Sequence, residues 1–545
     1  MAIHLIALLL EWDGDVGVHV SQALVADTFL QPLISLAHSP LLCGQALDAM
    51  LRLMRAIGRQ TVRSEKDHAV TMLFVAQLLA PLNGSGLIAC GLNSGPNATG
   101  TLHRDALPSV AQCVTELLAD LPVNTPPGQP VSPTNVSSLT MAVDRLLAAV
   151  KNPESSAAQV YLNLLILGEL GSKLDLSNRI DLREMLISCL STSAAQSSST
   201  NKTTHSTNGS VIISEEVKPA AALSLGRLVA GQPDNLLPFL VDRIAEAANS
   251  ATAAVALSAS DLGSQHQLYH LLQALRKVLV GLAGLSTNTT LKTHLDSIWS
   301  LLIASAGLPA EGIRNIVAEC LGRLVFVAPR QLMDRLRQQL NSPEASNSPL
   351  IRCTLVTAVK FILFVTDLDN SSQNQLAGQL RNETLDWPSG LVASPLCIPQ
   401  PSGQSGVIGS ASVDAVCQSS ALQEIDAILC QDQPSSVLLD FLSRLADPDL
   451  LVRRAALIAL NTAAHHRPAL VRPLLTRQVV TNSRQGQASL IQLLYAETVV
   501  RKELIREVQM GPFKHYEDDG LDTRKVRFLC CMLPLHCCSL SYFHI

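Results

Sequence analysis

Aromatic residues are scarce: Phe, Trp and Tyr together make up 3% of this 545-residue chain. Its apolar content, 47%, is carried by Leu and Ala instead, as helix-on-helix packing prefers. A charge excess is also missing. Lys plus Arg is 40 and Asp plus Glu is 45, a net charge of −5. That balance argues against a nucleic-acid-binding surface. No run of eighteen or more uninterrupted apolar residues occurs, so no membrane-spanning helix is expected. The first ten residues imitate a signal core. They lack a basic leader and a small-x-small cleavage site, and Glu11-Trp12-Asp13 follows at once, so they read as a helix cut in mid-repeat. Catalytic signatures are missing too. There is no Walker A loop, no Gly-x-Gly-x-x-Gly after a strand, no His-Glu-x-x-His and no nucleophile elbow. We therefore expect neither enzyme activity nor a cofactor.

What the chain does have is a repeated frame of twelve residues. An aliphatic residue is followed by a basic one, two free positions, two small or aliphatic residues, a free position, a small residue, an aliphatic one, two free positions and an apolar one. The frame runs from Val217-Lys218 to Leu228 and returns at Ile313-Arg314, Ile351-Arg352 and Val452-Arg453. Apolar positions at i, i+4, i+5, i+8 and i+11 lie on one helical face. Small residues in that face allow close helix approach. The spacing 351 − 313 = 38 residues is close to the period of HEAT and armadillo helix pairs. Such units cannot bury their faces alone and stack into a superhelix. The expected fold class is all-α, a HEAT/armadillo-like α-α superhelical solenoid.

Composition divides the chain further. Residues 1–82 read as HEAT repeats, and 83–137 as a helix between Gly- and Pro-rich loops. A repeat follows at 138–190, then a Ser/Thr/Asn-rich insertion at 191–212 that should be disordered. Repeats resume over 213–368, a degenerate copy at 267–278 included. They are interrupted by a second disordered insertion at 369–420 and continue over 421–525. Removing the second insertion restores a repeat-length spacing between the copies at 351 and 452.

Few residues could carry chemistry. The frame's basic residues, Lys218, Arg314, Arg352 and Arg453, recur at equivalent positions and predict a structural ladder. Asp447 and Asp449 are the candidate partners of Arg453, and Glu311 of Arg314. His465-His466 point to different helix faces and make a poor metal pair. Cys530-Cys531 and Cys537-Cys538 are adjacent pairs, unlike the spaced ligands of common zinc sites, and we assign no metal there. Nine scattered cysteines fit a reducing intracellular compartment.

The segment 494–525, LYAETVVRKELIREVQMGPFKHYEDDGLDTRK, is the most distinctive text in the chain. It resembles the C-terminal region of the cullin-associated, neddylation-dissociated family, also called TATA-binding-protein-interacting proteins. Leu167-Gly168-Glu169-Leu170, EGIRNIVAECLGRL at 311–324 and DPDLLVRRAALIALNTAAH at 447–465 support the match, which runs with interruptions from about 18 to 525. The resemblance implies a non-catalytic HEAT solenoid that wraps a cullin–RING scaffold lacking its ubiquitin-like modifier. It implies an exchange factor competing with the substrate-receptor adaptor, cytoplasmic and nuclear, with TATA-binding protein as a further partner. The family's N-terminal half has no counterpart here, so the end covering the modification site is expected to be missing. After Lys525 the text VRFLCCMLPLHCCSLSYFHI departs from the family, and 526–545 reads as an unrelated tail from a retained intron. A nuclear-transport receptor or phosphatase scaffold of the same fold is the alternative function, and a truncated, non-functional isoform is another.

Residues 506–520 admit two local readings. A helix from Ala496 could continue through Val508 to a stop at Gly511, with Pro512 beyond it. Equally, Gly511-Pro512 could turn a β-hairpin. The resemblance implies the hairpin, inserted into the adaptor site of the cullin. Val508, Met510, Pro512, Phe513, His515 and Tyr516 are then its contact residues, with Met510, Pro512 and Phe513 as apolar anchors and acidic Asp518 and Asp519 at the base.

Overall fold

A computed structural model describes residues 2–11, 22–60, 65–83, 102–119, 138–191, 215–256, 262–282, 289–364, 424–429, 437–480, 487–497, 499–500, 502–510, 513–518 and 520–521. The insertions expected at 191–212 and 369–420, the loops within 83–137 and the tail at 526–545 lie outside the described residues, apart from helix ends and the stretch 102–119. The chain divides into two compact units, Met1–Gly281 and Leu282–Ile545. Each is described separately.

The first unit holds α1 (Ala2–Glu11), α2 (Gln22–Ala37), α3 (Gly44–Gln60), α4 (Glu65–Asn83), α5 (Leu107–Ala119), α6 (Ser138–Lys151), α7 (Ala157–Lys173), α8 (Ile180–Leu190), α9 (Lys218–Gly231), α10 (Pro233–Ala256) and α11 (Leu262–Leu282). Helices α1, α3, α5, α7 and α9 pack in series as one layer. The even-numbered helices form the second layer, with α2 against α4, α6 on α7, and α8 and α10 on α9. This is the helix-pair stacking that the frame predicts. Local signals set the ends. Ser156 caps α7 by accepting from the Gln159 N–H, and Pro219 opens α9, where a missing N–H does no harm.

The second unit holds α12 (Thr289–Thr293), α13 (Leu295–Ser305), α14 (Glu311–Val325), α15 (Pro329–Leu340) and α16 (Pro343–Asn347). Helices α17 (349–364) and α18 (424–429) follow. Then come α19 (Val437–Leu442), α20 (Leu450–His466), α21 (Pro468–Val471) and α22 (Leu490–Ala496). The frame copies fall on α14, α17 and α20. Two short antiparallel hairpins complete the unit: β1 (Gln478–Val480) with β2 (Gln487–Ser489), and β3 (Ile505–Met510) with β4 (Phe513–Asp518). The first hairpin is unannounced by the sequence pattern.

Close approach of layer helices is achieved by glycine. A Cβ on Gly168 would stand 2.5 Å from the Ser224 Cα, and one on Gly226 would stand 2.6 Å from the Ala274 carbonyl. In the second unit, a Cβ on Gly322 would lie 2.8 Å from both the Ala358 carbonyl and the Phe361 Cβ. Backbones this close admit no side chain, so these glycines fix the spacing of α7 against α9, α9 against α11, and α14 against α17. Buried hydroxyls add ties, α9 to α7 and α17 to the end of α13. Ser224 Oγ lies 2.6 Å from the Leu164 carbonyl, and Thr354 Oγ1 2.9 Å from that of Ala306.

Candidate binding surface at the C-terminal hairpin

The ladder residues come first, because they lead to the hairpin. Arg352, Arg314 and Arg453 are all buried, as is Lys218. Each arginine does the same thing with Nη1: it donates to two successive carbonyls in the turn ahead of its own helix. Arg314 reaches Leu308 at 2.8 Å and Pro309 at 2.5 Å. Arg352 reaches Ala345 and Ser346 at 2.9 and 2.8 Å, and Arg453 reaches Asp447 and Pro448, both at 2.9 Å. The free face of the guanidinium then turns to the following repeat. Arg352 forks the Asp447 carboxylate, Nε to Oδ2 at 2.9 Å and Nη2 to Oδ1 at 3.1 Å. Arg453 Nε stands 3.2 Å from Glu497 Oε1, off the line of a good hydrogen bond.

Two of the four frame residues, Arg352 and Arg453, thus reach a carboxylate further along the chain, and the carboxylates differ from those expected. Asp447 serves the arginine of the preceding repeat rather than Arg453. Asp449 accepts from the Leu451 and Val452 N–H groups and caps α20. Glu311 opens α14 and does not meet Arg314, whose partners are the two carbonyls. The reason is geometric. A carboxylate just ahead of a helix faces that helix's unsatisfied N–H groups, while the arginine one turn in points back at the turn's carbonyls. Lys218 reaches a carboxylate, Glu215 Oε1 at 2.5 Å, within its own repeat.

Sequence reasoning missed Glu497, and it missed a second set of charges in the first unit. Glu116 on α5 receives Arg55 of α3 in a two-point contact, both bonds 2.9 Å, and Lys173 of α7 at 2.5 Å. Burial pushes the Glu116 carboxyl up, but the bonds from Arg55 and Lys173 outweigh it and hold the group below the usual carboxylate range. Glu169 and Arg227 pair at 2.7 Å between α7 and α9. For the Glu169–Arg227 pair the one signal was an ionisable residue beside a layer-facing glycine, Gly168-Glu169 and Gly226-Arg227; the Glu116 set had no such mark.

Glu497 caps the C-terminus of α22, a helix opened by a reciprocal Ser489–Gln492 capping box. A turn at Lys502–Leu504 leads from there into β3. The helical reading of 496–511 is overturned: Ile505–Met510 is a strand paired with Phe513–Asp518. The register is Ile505↔Asp518, Arg506↔Glu517, Glu507↔Tyr516, Val508↔His515, Gln509↔Lys514 and Met510↔Phe513. Opposed residues share a face of the ribbon. Glu507 and Tyr516 share one face. Pro512 and Asp519 lie outside the described residues. Asp518 accepts from the Gly520 N–H at 2.9 Å, which closes the turn after β4. Tyr516 is 64% exposed, and the approach to the hairpin is apolar and exposed as well: Tyr495 at 61%, Val499 at 64% and Val500 at 56%. Exposed large apolar residues gathered in one short stretch mark contact surfaces more often than isolated ones do.

Fold and surface define a helical-repeat protein with a β-hairpin near residue 510. Over nearly its whole length the chain is similar to the cullin-associated NEDD8-dissociated proteins. It is 30% identical over 516 residues to "Cullin-associated NEDD8-dissociated protein 2" of Mus musculus, covering 94% of this chain and 30% of that protein. It is also 30% identical over 518 residues to "Cullin-associated NEDD8-dissociated protein 1" of Drosophila melanogaster, with the same coverages. A third relative, 26% identical over 312 residues, is "Cullin-associated NEDD8-dissociated protein 1, C-terminal part" of Emericella nidulans, covering 57% of this chain and 21% of that protein. The chain thus spans about 30% of the length of the full-length relatives it matches. The family described as TATA-binding protein interacting (TIP20) matches residues 484–543, which includes the whole hairpin and runs past Lys525. Among solved structures, importin beta superposes with a TM-score of 0.32 at 11% identity, covering 98% of this chain and 55% of that one, a likeness too slight to bear on function.

Proposed function

We propose that this chain is a non-catalytic cullin-binding scaffold that regulates assembly and substrate-receptor exchange of cullin–RING ubiquitin ligases. The β3–β4 hairpin is its contact with an unmodified cullin, and it competes there with the adaptor protein. The observation that carries this reading is the hairpin itself. A stretch that could have continued as helix is a paired ribbon, within the segment matched by the family, with Met510 and Phe513 opposed next to its tip. The names of the relatives supply the partner class. An isolated two-stranded ribbon is marginal in water. The Arg352–Asp447–Arg453–Glu497 chain ends at Glu497, ahead of β3 in the sequence. Cytoplasmic and nuclear location, and a contact with TATA-binding protein, belong to the same proposal.

Binding of the purified chain to an unmodified cullin–RING complex tests it. The expected outcome is a saturable complex displaced by adaptor. Phe513→Ala should weaken it by more than about 1 kcal/mol, as loss of an aromatic anchor does. A folded chain that binds no unmodified cullin removes the reading.

A further inference from the structure

Helices α4 and α6 of the first unit do not close on each other. Between them lies a cavity of about 430 Å³ with α5 and α7 as its floor. Its walls are apolar: Met72, Val75 and Leu79 from α4, Leu118 from α5, and Met141 and Leu146 from α6. That volume and lining suit a small-molecule site. Methionine walls adapt to the shape of an occupant.

Two polar groups in this apolar lining stand out. Asn163 of α7 is only 6% exposed, yet its amide lines the cavity and has no hydrogen-bond partner among the described residues. Buried amides are almost always satisfied, because an unpaired one forfeits its hydrogen bonds to water. The residue is buried as a whole while its amide opens onto the cavity. The second group is Arg145 of α6, an exposed guanidinium that also lines the cavity and also lacks a partner among the described residues. The adjacent Asp144 is taken by Arg179 at 2.5 Å and does not neutralise it. Among the described residues no carboxylate lines the cavity, and Gln159 is the remaining polar residue of its wall.

We propose that this cavity is a binding site for a small amphiphilic monocarboxylate, with its apolar body between α4 and α6 and its carboxylate shared by the Arg145 guanidinium and the Asn163 amide N–H. An apolar ligand without charge would leave both groups as they are. A carboxylate satisfies both at once, and charge-assisted bonds are the stronger kind. The site is independent of the hairpin and of the cullin reading.

Calorimetric titration of the full chain with dodecanoate and with dodecanol, each below its aggregation limit, tests the proposal. The two probes share a body and differ in the head group. The expected result is one saturable dodecanoate site, with dodecanol at least tenfold weaker. Arg145→Gln should erase that preference and leave dodecanol binding unchanged. Ala76→Phe, at the cavity rim, should weaken both probes at least tenfold while the thermal transition is retained. If that variant fails to fold, Ala142→Leu takes its place. Absence of saturable dodecanoate binding overturns the proposal. So does a preference that survives Arg145→Gln, or an affinity that survives filling of the cavity.

Discussion

At the residue scale, position in the repeat decides what a charge does. The three frame arginines make the same pair of carbonyl bonds but differ in the carboxylate beyond. Arg352→Ala would strand Asp447, whose side chain is 4% exposed, as a buried carboxylate without its fork. Breaking a buried pair from one side costs about 3–5 kcal/mol. Arg453→Ala loses a single poorly aligned contact to Glu497 plus two carbonyl bonds and should cost about 1–3 kcal/mol. Arg314→Ala, which strands no carboxylate, should cost least, about 1–2 kcal/mol. Chemical denaturation of the three variants checks the order, and equal costs would contradict the ladder geometry. Glu116 gives a pH test. Its carboxyl is held down in the folded state, so its contribution is complete above the unfolded carboxylate pKa and is lost as pH falls through the lower folded value. Glu116→Gln should therefore destabilise the chain at neutral pH, and its difference from the parent should shrink in acid. A difference independent of pH would mean that Arg55 and Lys173 do not hold the charged form.

At the element scale, the helices were legible and their closest contacts were not. The frame copies at 217, 313, 351 and 452 all lie on helices that carry layer contacts, because a 3.6-residue period in Leu and Ala has few other uses. Yet the positions of Gly226 and Gly322 look unconstrained in the frame, since the two later copies hold Lys360 and Asn461 there. Only the neighbouring backbone shows why a glycine is needed. The hairpins were illegible for a different reason. β1 and β2 are three residues each, too short to show alternation, and Ile505–Met510 fits either period on its own. Resemblance rather than local physics decided β3–β4. The ladder's basic residues were readable as a recurrence, whereas their acceptors, mostly backbone carbonyls, leave no mark in a sequence. One substitution tests the close-packing account. Alanine normally stabilises a helix by about 1 kcal/mol over glycine. Gly226→Ala should instead destabilise by about 1–3 kcal/mol, because the new methyl meets the Ala274 carbonyl and the Lys277 Cβ at 2.6 and 2.7 Å. A raised melting temperature would show that α9 and α11 can move apart at little cost.

At the scale of the whole molecule, stacked helix pairs build each of the two units, and the proposed contact surface is a small departure from that pattern. Each repeat in such a stack depends on contacts with its neighbours. The charge chain from Arg352 through Asp447 and Arg453 to Glu497 is the visible link between the helical stack and the hairpin's approach. The central claim is that the hairpin is the surface that meets an unmodified cullin. Hydrogen–deuterium exchange of the full chain, with and without an unmodified cullin–RING complex, tests this most directly. The account predicts slowed exchange across 505–518, where the ribbon and its tip become covered, with the frame helices α9 and α14 unchanged. Protection confined to those helices, with 505–518 exchanging as in the free chain, would contradict it.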